Sequence, residues 1–67
     1  MLETFGKRLE EARKTKGWAR SQLEMRSGVG SQTIYNIERC VHGPSLYTAV
    51  NLADALDVSL DWLVGRE

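Results

Sequence analysis

The 67-residue chain has one cysteine, one histidine, one proline and no net formal charge, and each scarcity excludes something. A lone Cys40 rules out an internal disulfide and a cysteine-cluster zinc site, and it fits a reducing cytosol. His42 has no second histidine with which to share a metal. Nothing obvious supplies the third group that a Cys–His nucleophile needs for orientation. No metal, cofactor, small-molecule substrate or catalysis is therefore expected. No apolar stretch approaches the roughly 18 residues that span a bilayer. The opening MLETFGKRLE carries Glu3 and no apolar core, so neither a signal peptide nor a membrane role is expected. With 42% hydrophobic and 27% charged residues, the chain is too apolar for disorder. Residues 1–67 are expected to form one domain, which at this size buries only about 60% of its unfolded surface.

The zero net charge hides an uneven distribution. Residues 1–39 hold eight Lys/Arg against five acids, a surplus of three positive charges. Residues 40–67 hold only Arg66 against Asp54, Asp57, Asp61 and Glu67, a surplus of three negative charges. A reader of nucleic acid needs a local positive face rather than a positive average. Solvated helix faces would account for the same distribution.

Apolar spacing is helical throughout, and no segment alternates with period two. Leu2, Phe5, Leu9 and Ala12 mark a first amphipathic helix that Gly17 ends. A second, about Arg20 to Ser27, carries Leu23 and stops at Gly28, the residue best able to turn left-handed. Ile34 and Ile37 stripe a third, about Ser31 to Arg39. Ser45 caps a fourth holding Leu46, Ala49, Val50, Ala53 and Leu56, with Asp57 as its left-handed end. Ser59 caps a short fifth with Leu60 and Leu63. The expected fold is all-α, five short helices around one core.

The stretch GVGSQT, residues 28–33, has two glycines ahead of a helix and invites a phosphate-loop reading. It fails as one. The third glycine of a dinucleotide loop is Thr33 here, no Lys-Ser or Lys-Thr follows at P-loop distance, and the preceding segment is helical. A helix–turn–helix accounts for more residues: Leu23, Gly28, Val29, Ile34 and Ile37 fall at the spacing two crossing helices need to share a core. Ser31, Gln32, Tyr35 and Asn36 then face outward. Ser, Gln and Asn hydrogen-bond base edges, and a helix N-terminus offers N–H groups to phosphate.

From FGKRLEEARKTKG through IER to GPSLYTAVNLADALDVSLDWLVG, nearly the whole chain resembles the lambda repressor/Cro family of helix–turn–helix proteins, also called the xenobiotic-response-element type. The specific features are the L…GV…TI…IER skeleton and the closing ALDVSLDWL. The resemblance implies a cytoplasmic bacterial or phage regulator, probing double-stranded DNA with its third helix in the major groove as a homodimer on two half-sites. It implies base reading by Ser31, Gln32 and Asn36, and backbone contact by Arg20, Thr33, Tyr35 and Arg39. Arg13 and Glu38 match the ion pair that ties the first helix to the third. Leu46, Val58, Leu60 and Trp62 are candidates for self-association, with core packing of Trp62 as the competing reading.

The chain departs from the family at four places. Glu24 replaces a small residue at the helix crossing and must lean into solvent or pair with a neighbour such as Arg20. Ala19 and Gly30 stand where capping hydroxyls are usual, and Cys40 where glycine ends the third helix. The loop CVHG is poor in Lys/Arg, which would weaken phosphate binding. A second reading is therefore kept: the same fold reused for protein–protein contact, as an antirepressor or adaptor. An antitoxin or restriction controller would retain DNA binding.

Overall fold

In a computed structural model describing residues 2–66, five α-helices follow in order: α1 (Leu2–Thr15), α2 (Arg20–Ser27), α3 (Ser31–Glu38), α4 (Leu46–Leu56) and α5 (Leu60–Val64). No strand occurs among the described residues. Met1 and Glu67, and the side chain of Leu2 that entered the apolar stripe, lie outside them.

The helix ends have local chemical causes. Gly28 sits at φ 77° and its N–H donates to the Glu24 carbonyl at 2.8 Å, closing α2. Ser45 Oγ accepts from Thr48 N–H at 3.2 Å and opens α4, and Ser59 Oγ accepts from Trp62 N–H at 3.0 Å and opens α5. Asp57, at φ 57°, closes α4 in the left-handed region. α3 ends at Glu38 rather than Arg39, which is the capping residue. Cys40 follows at φ 61°. The helix end thus keeps the left-handed geometry of a glycine without the glycine, at a cost of about 1–2 kcal/mol.

Each helix contributes to a common core. Leu9, Leu23, Ile34, Ile37, Leu52, Leu56 and Leu63 are fully buried, and Val29 plugs the corner between α2 and α3. Burial of each such side chain contributes about 1.5–3 kcal/mol. α1 packs on α3 and α5, and α2 packs on α3 and α4. Trp18, Val58, Leu60 and Trp62 pack against the core while remaining partly exposed.

One buried residue is invisible to hydrophobic patterning. Gly6, on α1, lies so close to the end of α3 that a Cβ there would collide with the Ile37 carbonyl oxygen and stand 2.9 Å from Cys40 Sγ. The obstacle is backbone, which cannot swing away. Gly6→Ala is expected to destabilise the protein by about 1–3 kcal/mol despite the higher helix propensity of alanine. Urea melts of the two proteins check this, and an alanine variant as stable as wild type would disprove the close approach.

Candidate nucleic-acid interface

α2 is anchored by Leu23 and α3 by Ile34 and Ile37, so the apolar sides of both helices are spent on the core. The turn between them is tied by Ser27, whose Oγ donates to the Leu23 carbonyl at 2.7 Å and accepts from Val29 N–H at 3.1 Å. What remains outward on α3 is Ser31, Gln32, Tyr35 and Asn36. Gln32 and Tyr35 are exposed, and Ser31, Thr33 and Asn36 are half-buried. Gln32 Nε2 lies 3.3 Å from Asn36 Oδ1, one turn on, so the two amides form a linked pair on one face.

Beneath this face lies a charged cluster. The Glu38 side chain is only 1% exposed. Arg13 grips it with both arms of its guanidinium, Nε to Oε2 at 2.7 Å and Nη2 to Oε1 at 3.1 Å. Arg13 Nη1 also donates to the Trp18 carbonyl at 2.7 Å, tying α1 to the chain entering α2. The hydrogen bonds that Arg13 donates to Glu38 hold its pKa above the ordinary value, with burial opposing them in part. The resemblance did not suggest a third member. Arg20 Nε donates to Glu38 Oε1 at 2.9 Å.

Arg20 thus faces inward with Nε, and neither of its Nη groups has a hydrogen-bond partner among the described residues. Its guanidinium carbon lies 4.9 Å from the centre of the Tyr35 ring, and that of Arg39 lies 5.9 Å from the same ring. Two arginines therefore lie against the Tyr35 ring on the outer side of α3. A second aromatic–cation group is formed by Trp18 with Arg26 at 4.4 Å and Lys16 at 5.6 Å.

Glu24 leans into solvent, as the sequence allowed, and the neighbour it pairs with is Ser31 rather than Arg20. Its Oε1 accepts from the Ser31 backbone N–H at 3.1 Å and from Ser31 Oγ at 2.6 Å. A side chain seven residues upstream thereby satisfies the first free N–H of α3, a different donor from the ones a capping oxygen at Gly30 would take. At α2 only half of a capping box exists: Gln22 Oε1 accepts from Ala19 N–H at 2.7 Å, and Ala19 has no oxygen to return the bond. The missing cap before α3 was legible in the sequence. The Glu24 contact was not, because seven residues across a turn is no local spacing.

The four candidates for self-association do not share one spot. Val58, Leu60 and Trp62 are near one another in sequence and half-buried at the α4–α5 corner. Arg8 lies over the Trp62 ring at 5.1 Å and donates to its carbonyl. Leu46 is 72% exposed beside Tyr47 at 83%, at the opposite end of α4, about 15 Å away along the helix axis. Among the described residues no group of three His, Cys, Asp or Glu could hold a metal ion, and no helix is long and apolar enough to cross a membrane.

A short helix pinned to the core through one face, with a polar opposite face flanked by arginines, defines a helix–turn–helix. The chain belongs to the Cro/C1-type, xenobiotic-response-element family of helix–turn–helix, DNA-binding transcription regulators, whose family model matches residues 9–63. It is 31% identical over 64 residues to the HTH-type transcriptional regulator ImmR of Bacillus subtilis (strain 168). That match takes in 96% of this chain and 50% of the relative, so the chain spans about half the relative's length. Its fold is similar to the restriction-modification controller protein C.AhdI from Aeromonas hydrophila, with a TM-score of 0.86 and 35% identity over 92% of this chain and 94% of that one.

Two measurements test the charged contacts. Glu38→Ala leaves Arg13 buried without its carboxylate, and chemical melts are expected to show a loss of about 3–5 kcal/mol, a large part of the stability of so small a domain. The Glu24 carboxyl is held below the ordinary glutamate range by the Ser31 hydroxyl first and the Ser31 N–H second. Because the folded value is depressed, the stabilisation is fully present above the unfolded value of about 4.3 and drains away as pH falls through the folded value. Thermal melts should therefore show a constant gap between wild type and Glu24→Gln above about pH 5 that narrows steadily below about pH 4.

Proposed function

We propose that the protein regulates transcription by binding a specific DNA operator as a homodimer, most simply as a repressor, with α3 in the major groove of each half-site. The observation that carries this reading is the outward face of α3, where Gln32 and Asn36 are joined and Arg20, Tyr35 and Arg39 lie alongside. In this reading Ser31, Gln32 and Asn36 meet base edges, and Arg20, Thr33, Tyr35 and Arg39 meet the backbone. Arg20 suits a phosphate because Glu38 fixes its Nε and leaves both Nη groups without a hydrogen-bond partner among the described residues. The likeness to a transcriptional regulator and to a restriction-modification controller supports a regulatory role in the cytoplasm of a bacterium or a phage-infected cell.

One observation favours a second reading, the same fold used to bind protein. The Glu24 carboxylate stands at the N-terminal corner of α3, where a DNA phosphate would be repelled. Selection from a randomised duplex library at several salt concentrations separates the two. A recoverable palindromic motif supports the regulator, and no retention even at low salt supports protein binding.

Single substitutions sort the roles. Gln32→Ala is expected to relax base preference at one position of each half-site, losing about 1–3 kcal/mol of discrimination. Arg39→Ala, outside the Glu38 cluster, is expected to weaken all sequences alike and lower the salt slope by about one. Equal effects of both on matched and mismatched duplexes would disprove the assignment of Gln32 to base reading.

A further inference from the structure

Ser31 is the first residue of α3 and half-exposed, and it has two donors, its backbone N–H and its hydroxyl. Both point at the same atom, Glu24 Oε1, at 3.1 and 2.6 Å. An ionised carboxylate only accepts, so the single hydroxyl proton of Ser31 is committed to Glu24. Neither donor remains for an incoming ligand. What Ser31 Oγ still offers is lone pairs, and the carboxylate beside it offers more.

We propose that Glu24 is a specificity-determining residue, making the N-terminal corner of α3 an acceptor-only edge that selects an amino base, adenine or cytosine, over a keto base at the operator position facing Ser31. The inference rests on the reading of α3 as the groove-entering helix. The chemistry is that of the major groove. Adenine presents its N6 amino group and cytosine its N4 amino group as donors, whereas guanine O6 and thymine O4 only accept. A serine with a free hydroxyl can turn its proton to suit either kind. Held by Glu24, it cannot. A keto oxygen placed against Ser31 Oγ and the Glu24 carboxylate would meet lone pairs and negative charge with no proton between them.

The carboxylate also acts at longer range. It stands where phosphates approach a helix N-terminus, so it lowers affinity for every sequence while sharpening the choice at one position. Glu24 trades strength of binding for discrimination.

Operator selection with the full chain, followed by competition between duplexes differing only at the position facing Ser31, tests this. Ser31→Ala locates that position as the one whose preference it changes most. Wild type is expected to favour amino over keto bases there by roughly five- to tenfold. Glu24→Ala frees the hydroxyl and removes the charge. It is expected to bring that ratio near one while binding all duplexes more tightly, at an exposed helical position that alanine suits. Glu24→Gln places an amide donor at the same corner, and is expected to relax the preference likewise without losing an oxygen for the α3 cap. A keto base selected by wild type, or a ratio unchanged in both Glu24 variants, overturns the inference and leaves DNA binding standing. Failure of every chain to retain any duplex removes the DNA reading and this inference with it.

Discussion

The Glu38 carboxylate, buried at the end of α3, accepts from Arg13 of α1 and Arg20 of α2, and the mutual placement of three helices depends on it. A carboxylate withdrawn from water without partners would cost several kcal/mol, so the fold must bring guanidinium groups to it. Arg13 supplies the two-armed contact and Arg20 a single one. Glu38 has two arginine partners, and Arg13, the more buried, also has Glu10 at 4.0 Å, whereas Arg20, the more exposed, has only Glu38 among its ion pairs in the described residues. A structural contact thus holds a cation, a third exposed, against the Tyr35 ring.

Two carboxylates do opposite things on the same helix. Glu38 at its last turn is buried, doubly paired and structural. Glu24 reaches its first turn from α2, stays exposed and accepts from the Ser31 N–H and hydroxyl there. Capping in this way favours α3 through the helix dipole but fills the end of the helix that anions would otherwise find. The helix is stabilised and its N-terminus chemically altered by one side chain.

Much of the fold was legible in the sequence because its signals are local. Period-3.6 spacing marked all five helices, and Ser45, Ser59, Gly28 and Asp57 act within one turn of their own positions. The candidate site was legible in part. The apolar residues of α2 and α3 imply which side of α3 is left outward. Most partners of that outward side were not legible: Glu24 on Ser31, Arg20 on Glu38 and Arg20 on Tyr35 join residues seven, eighteen and fifteen apart across a turn or a helix crossing, whereas Arg39 meets Tyr35 at the ordinary four-residue helical spacing. The end of α3 was read as a difficulty at Cys40, and the structure accepts that strain.

By itself, then, the sequence determined the number and approximate ends of the helices, most core residues and the helix–turn–helix class, since periodicity and capping act over one or two turns. On α4 it missed the buried Leu52 and included Leu46, which is exposed, and Val50, which is half-buried. Only the tertiary structure decided how closely the helices approach and what each polar side chain is left to offer. Gly6 matters because the Ile37 carbonyl oxygen lies across from it, and Ser31 has no free donor because α2 brings a carboxylate to it. Contacts of that kind are set by where distant backbone segments lie in space, which no local spacing encodes.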